Sequence, residues 1–196
     1  MAQQNDQVTP AETAEILRLA EQCTATDGDF AEFGCYKGDT TILLGKLLAE
    51  LAPKKRLFAY DSFAGLPEKT REDASSAGEN FQEGELFVSK REVLDKIRRA
   101  ALKNVVLKKA WFAELTAQDL PEKIAFAFID GDFYESQKIA LRLVAPRMIS
   151  GGIIICHDYN NPDLPGASQA VDEFLREHPE YKLTTRQTLA ILALER

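Results

Sequence analysis

The sequence is short of cysteine, histidine, long apolar runs and concentrated positive charge, and each shortage excludes something. Its three cysteines, Cys23, Cys35 and Cys156, are odd in number, far apart and without CxxC spacing. That excludes a disulfide scaffold and a cysteine-based zinc or redox site, and the three read as small buried hydrophobes. No apolar stretch approaches the roughly 20 residues that span a bilayer, and Met1-Ala2-Gln3-Gln4-Asn5-Asp6 is not a basic segment followed by an apolar one. A cytoplasmic chain with no membrane partner is expected. Basic residues number 24 against 31 acidic ones, for a net charge of -7. No Lys/Arg block is long enough to track a phosphate backbone, so nucleic acid is not an expected partner. There is no internal repeat, low-complexity tract or sustained heptad pattern, which removes solenoids and coiled coils. Of the two histidines, His178 stands before Pro179 at the end of a helical segment, where it reads as a dipole contact without chemistry. That leaves His157.

What is present is a chain of 196 residues, 45% of them hydrophobic, enough for one compact domain over residues 1–196. Apolar runs alternate with helical-period segments. A first helix is expected from about Pro10, behind Thr9, to about Gln22, within an N-terminal region of residues 1–28. Phe30–Cys35 reads as a strand, Thr40–Leu51 as a helix, Arg56–Asp61 as a strand, Val88–Leu102 as a helix and Val105–Leu107 as a third strand. Ile124–Ile129 is apolar at every position, as a central strand buried on both faces must be, and Ile153–Cys156 is similar. A helix over Ala167–Glu177 and two strand-like pieces, Tyr181–Thr185 and Leu189–Leu194, complete the chain. This order predicts an α/β fold: a Rossmann-like, doubly wound, mostly parallel sheet with helices on both faces and an antiparallel C-terminal edge hairpin. One segment, Pro67 to Glu85, is polar, aperiodic and too long for an ordinary connection. It is expected to be a mobile lid over the site, spanning residues 67–86.

Ligands of such sheets bind outside the carboxyl ends of the strands, so the residues that end each apolar run carry the functional information. The first strand ends in Glu32-Phe33-Gly34-Cys35-Tyr36-Lys37-Gly38, with two glycines and then a helix N-terminus, the outline of a nucleotide-ligand loop. Tyr36 and Lys37 fill positions that the GxGxxG dinucleotide fingerprint gives to small residues. Asp61 ends the second strand roughly 20 residues beyond Gly38, where an acid that hydrogen-bonds ribose hydroxyls is expected. The densest constellation is Asp130-Gly131-Asp132 after one central strand and His157-Asp158 after the other. If those strands are neighbours, their carboxylates repel one another unless a cation lies between them. Taken singly, the glycine pair is also a turn, the two aspartates acidic caps and the histidine a satisfied polar residue. Together, at two central strand ends, they favour a site.

Five segments, in order, make the chain recognisable: Glu32 to Gly38, Asp61-Ser62-Phe63-Ala64-Gly65-Leu66-Pro67, Trp111-Phe112-Ala113-Glu114-Leu115, Asp130-Gly131-Asp132-Phe133-Tyr134-Glu135-Ser136, and Gly151-Gly152-Ile153 leading to His157-Asp158-Tyr159. The chain resembles the macrocin O-methyltransferase family, metal-assisted class I S-adenosylmethionine-dependent methyltransferases, from about Asp29 to Leu175. The resemblance implies that Glu32, Gly34, Tyr36, Lys37 and Gly38 cradle the amino-acid part of S-adenosylmethionine. It implies that Asp61 holds its ribose, and that Ser62, Ala110, Trp111 and Phe112 border its adenine. It also implies that Asp130, His157 and Asp158 ligate Mg²⁺, and that Asp132 is the general base on a small-molecule hydroxyl, sugar-type or vicinal diol. The family pattern has Asp-Asp where this chain has His157-Asp158. Imidazole suits Mn²⁺, Fe²⁺ or Zn²⁺ better than Mg²⁺, so the metal preference differs or His157 stands outside the ligand set; a metal-free site also stays open. A homodimer is implied by the resemblance alone. The short stretch before the first helix implies an acceptor site more open than in larger relatives. Two alternatives remain on the sequence: an NAD(P)-dependent oxidoreductase on the same kind of sheet, and a cofactor-binding module without catalysis.

Overall fold

The computed structural model describes residues 8–77 and 80–194. The start of the 1–28 region and two positions of the 67–86 segment therefore lie outside the described residues. In chain order the elements are α1 (Pro10–Gln22), β1 (Asp29–Phe33), α2 (Asp39–Leu51), β2 (Leu57–Asp61), α3 (Lys90–Arg99), β3 (Val105–Lys109), β4 (Ile124–Ile129), α4 (Tyr134–Val144), β5 (Met148–Cys156), α5 (Pro165–Glu177), β6 (Tyr181–Arg186) and β7 (Leu189–Leu194). The strands form one seven-stranded sheet in the order β3-β2-β1-β4-β5-β7-β6. The β1 to β5 pairings are parallel, and β7 pairs antiparallel with both β5 and β6. The doubly wound sheet and its C-terminal edge hairpin are as the sequence predicts.

The side-chain alternation along each central strand builds two cores. Phe30 of β1, Phe126 and Phe128 of β4 and Ile155 of β5 pack with Ile16, Leu19, Leu44 and Leu48 of α1 and α2. Ala31, Phe33, Ala127, Ile129 and Ile154 face the other way, against Ala140, Leu141 and Val144 of α4 and Val171 and Phe174 of α5. A fully buried Phe or Leu contributes about 1.5–3 kcal/mol, so these two layers carry most of the fold's stability. Side-chain caps start two of the helices: Thr9 and Glu12 form a reciprocal capping box at the start of α1, and Ser89 and Glu92 do the same for α3. The α3 helix is shorter than its apolar period suggests. Ala101 turns left-handed (φ 55°) just past its end, which stops the helix before Leu102.

Pattern reading names no helix between the fourth and fifth strands, yet α4 occupies that stretch. Its buried face, Tyr134, Gln137, Leu141 and Val144, has helical spacing. The sheet reverses its winding between β1 and β4, which places the crevice of a doubly wound fold at the ends of these two strands. There the backbones touch: the Asp130 amide donates to the Phe33 carbonyl at 2.7 Å. A Cβ on Gly34 would lie 1.9 Å from the Asp130 carbonyl oxygen. Gly34, at φ 85°, is therefore required by the neighbouring strand.

Candidate active site

Loops after β1, β2, β3 and β4 enclose a cavity of roughly 600 Å³, counting its open mouth, lined by Gly34, Tyr36, Asp61, Ser62, Ala110, Trp111, Phe112, Asp130 and Asp132 among others. That size suits a nucleoside-scale ligand. An adjoining cleft shares Gly34, Tyr36 and Asp130 and is walled by Glu32, Lys37 and, from the start of α1, Pro10 and Thr13. Every sequence-predicted donor-binding residue except Gly38 thus lines one of two connected hollows; Gly38 serves as the N-cap of α2.

Asp61 does more than face the cavity. One carboxylate oxygen accepts the backbone N–H groups of Cys35 (3.0 Å) and Tyr36 (2.9 Å), and the other accepts that of Phe63 (2.7 Å). The acid at the end of β2 therefore holds the loop after β1 in place. The loops at these strand ends are strained: Tyr36 after β1 sits at φ 41°, Phe63 after β2 at φ 47°, and across the crevice Asp132 at φ 56° and Asp158 at φ 63°. Four non-glycine residues in the left-handed region at one end of the sheet, each carrying backbone strain of order 1 kcal/mol or more, point to a functional site.

Glu32 is fully buried on β1, and its Oε2 accepts a hydrogen bond from the Thr41 hydroxyl at 2.6 Å, while Oε1 has no hydrogen-bond partner. Burial, reinforced by the Asp130 and Asp61 charges, pushes its carboxyl up to about 8.

At the ends of β4 and β5 the sequence-predicted cluster comes together. The strands are parallel neighbours with Ile129 opposite Cys156. Asp130, His157 and Asp158 each present one ligand-type atom within 4.8 Å of the others. His157 Nδ1 lies 3.0 Å from Asp130 and 3.2 Å from Asp158. The ring is buried, and its Nε2, without a hydrogen-bond partner, faces the Glu12 carboxylate at 3.7 Å. Burial by itself lowers an imidazole, but the surrounding carboxylates, Asp130 foremost, outweigh it and raise His157 above its usual range. Enclosure by the protein, with the charges of Asp130 and Asp158, raises Asp132 well above the ordinary carboxylate range. Two carboxylates and one imidazole nitrogen so close together are a donor set that fits a divalent ion.

The 67–86 segment, expected as a lid, contributes Pro67 and Leu86 to the cavity edge, next to Leu66. Its described residues are anchored at several points. Buried Asp73 accepts from the Thr70 amide (2.9 Å) and from the Tyr134 amide at the start of α4 (2.7 Å). Gly166 leaves the space that Asp73 fills, since a Cβ there would stand 2.0 Å from its Oδ1. Ser75 donates to the Pro162 carbonyl, and at the segment's base the Gly84 amide donates to the Leu66 carbonyl (2.9 Å) and the Leu66 amide to the Glu85 carbonyl (2.8 Å). Pattern reading does not name Glu12 as a site residue. Its signal is present: Glu12, Ile16 and Leu19 stand at i, i+4 and i+7 on one buried face of α1, where an acid is out of place unless it has a partner.

The fold is a Rossmann-like, doubly wound sheet with its crevice at the carboxyl ends of the strands. The sequence profile of the Macrocin-O-methyltransferase (TylF) family matches residues 15–185, and the chain belongs to that family. It is 30% identical over 138 residues to the 8-demethyl-8-(2,3-dimethoxy-alpha-L-rhamnosyl)-tetracenomycin-C 4'-O-methyltransferase of Streptomyces olivaceus, a match covering 67% of this chain and 53% of that protein. It is 30% identical over 154 residues to the demethyldecarbamoylnovobiocin O-methyltransferase of Streptomyces niveus, covering 75% and 58%. The chain thus spans between half and three-fifths of the length of these relatives. Among solved structures, that of the O-methyltransferase NovP superposes with a TM-score of 0.79 at 26% identity, covering 94% of this chain and 81% of that one.

Proposed function

We propose that the protein is an S-adenosylmethionine-dependent O-methyltransferase, assisted by a divalent ion, that methylates a sugar-type or vicinal-diol hydroxyl of a small molecule. One observation carries the reading. In a chain of this family, Asp130, His157, Asp158 and Asp132 gather at the ends of β4 and β5, beside a nucleoside-sized cavity bounded by Asp61, Ser62, Trp111 and Phe112. The hydroxyl acceptor is supported by the printed activities of the relatives, which for the tetracenomycin enzyme name a rhamnosyl substrate.

The residues divide the work. S-adenosylmethionine supplies the methyl group from its sulfonium, and an ion held by Asp130, His157 and Asp158 would orient the acceptor hydroxyl and lower its pKa. Asp61, already fixing the β1 loop, accepts from the ribose hydroxyls. Glu32 and Lys37 border the amino-acid end, and the Trp111 and Phe112 rings flank the base. Asp132 takes the hydroxyl proton as the oxygen–carbon bond forms and the sulfur–carbon bond breaks. Asp132 lines the cavity just past the end of β4, beside Asp130, where a base on the acceptor hydroxyl is needed. Much of the acceleration comes from holding donor and acceptor in line. Mn²⁺ is the expected ion alongside Mg²⁺, because one ligand is an imidazole.

The test is Asp132→Asn with a panel of rhamnosyl and catechol acceptors, following S-adenosylhomocysteine release. Turnover is expected to fall about 10²- to 10⁴-fold, with S-adenosylmethionine affinity unchanged within about twofold. Full turnover in the variant contradicts the assignment of the base.

A further inference from the structure

We propose that Glu12, on the N-terminal helix α1, is a positioning residue for His157: it holds the ring so that Nδ1 serves as the metal ligand while Nε2 keeps its proton toward Glu12. The proposal rests on the metal-assisted reading above and adds a residue to it.

The geometry is specific. Glu12 is 3% exposed, and both its oxygens are engaged. Oε2 accepts the Thr9 amide (3.0 Å) and hydroxyl (2.7 Å), and Oε1 accepts the Thr188 amide (3.2 Å) and hydroxyl (2.5 Å). A capping box alone uses only the first pair. The second pair fastens the carboxylate to the turn between β6 and β7, so two distant parts of the chain fix its position beside β5. A buried carboxylate needs a compensating partner. Among the described residues no lysine or arginine pairs with it, and the group it faces is His157 Nε2.

An imidazole can offer either nitrogen to an ion, and the choice is set by the partner of the other nitrogen. Here Nδ1 faces Asp130 and Asp158 and Nε2 faces a locked carboxylate. The His157 carbonyl is held as well, by the Gln137 side-chain amide at 3.1 Å. A carboxylate at position 157 would have no second nitrogen to direct, so Glu12 and His157 form a matched pair.

The experiment is calorimetric titration of Mn²⁺ into the full chain and into Glu12→Gln, His157→Asp and the double variant. Thermal melting and S-adenosylmethionine affinity in chelator serve as controls. Glu12→Gln is expected to weaken Mn²⁺ binding about 10- to 100-fold with S-adenosylmethionine affinity within twofold. In the His157→Asp background the same change is expected to leave Mn²⁺ affinity unchanged or improved, since Glu12 then faces a carboxylate. Equal Mn²⁺ affinity with and without Glu12, or an equal loss in both backgrounds, overturns the proposal, the latter by assigning Glu12 a merely structural role. No Mn²⁺ binding by the unaltered chain overturns the metal reading and this proposal together, an outcome distinct from failure at Glu12 alone. If Glu12→Gln does not fold, Thr188→Val keeps the charge and removes one tether. A several-fold loss of Mn²⁺ affinity then supports the proposal, and an unchanged affinity overturns it.

Discussion

Glu32 is buried, half-satisfied and pushed up to about 8, which no requirement of packing explains. Its folded-state value lies above the unfolded one of about 4.5. The folded chain therefore holds a proton that the unfolded chain releases, and stability through this group falls as pH rises from about 4.5 to 8. Glu32→Gln removes that penalty. In chelator, its melting temperature is expected to match the unaltered chain at pH 4.5 and to exceed it increasingly toward pH 8, by roughly 2–4 °C per kcal/mol removed. An identical difference at both ends of the range contradicts a buried neutral Glu32. A residue that lowers stability at a ligand pocket is best explained by what it binds. Gly34 gives the opposite case, a residue whose loss nothing offsets. Gly34→Ala drives a Cβ into the Asp130 backbone, which cannot move without parting β1 from β4. Denaturant titration is expected to show a loss of about 3 kcal/mol or more, and a loss under ~1 kcal/mol contradicts the close approach of the two strand ends.

At the scale of elements, α4 is the structural hinge of the site, since Asp132 stands two residues ahead of it and Asp73 receives its first amide. Replacing Asp73 with Ala leaves that amide and the Thr70 amide without their acceptor and removes a negative charge from the helix N-terminus. About 1–3 kcal/mol of stability is expected to be lost, together with faster proteolytic cleavage between residues 67 and 86. Unchanged stability and cleavage contradict an anchored segment. The strands were legible in the sequence because a sheet buried on both faces writes unbroken apolar runs such as Ile124–Ile129. The α4 helix was less so, because its opening turn carries the Asp-Gly-Asp-Phe-Tyr motif, whose chemistry masks the helical period that begins at Tyr134. The anchoring of the 67–86 segment was not legible, since Asp73 is an acid among acids until α4 and Gly166 are folded around it. Glu12 was hidden for a similar reason: its capping-box spacing explains one of its oxygens, and only the arrival of Thr188 and His157 from far along the chain accounts for the rest.

Over the whole molecule, the doubly wound sheet gathers the ends of β1 to β5 at one edge, where the loops after β1, β2, β3 and β4 become one cavity and the ends of β4 and β5 set a carboxylate–imidazole cluster at its side. The order of strands explains why the motifs were readable individually while their convergence depended on β4 and β5 being neighbours. Among the described residues no helix is long and apolar enough to cross a membrane. This edge is expected to bind S-adenosylmethionine. That expectation is tested most directly by calorimetric titration of the purified chain with S-adenosylmethionine and, separately, NADH, each in chelator and again with Mg²⁺ or Mn²⁺. Micromolar binding of S-adenosylmethionine without binding of NADH is the expected result, and it is to weaken at least tenfold in Asp61→Ala. Binding of NADH in preference, or of neither compound under any metal condition, would contradict the claim.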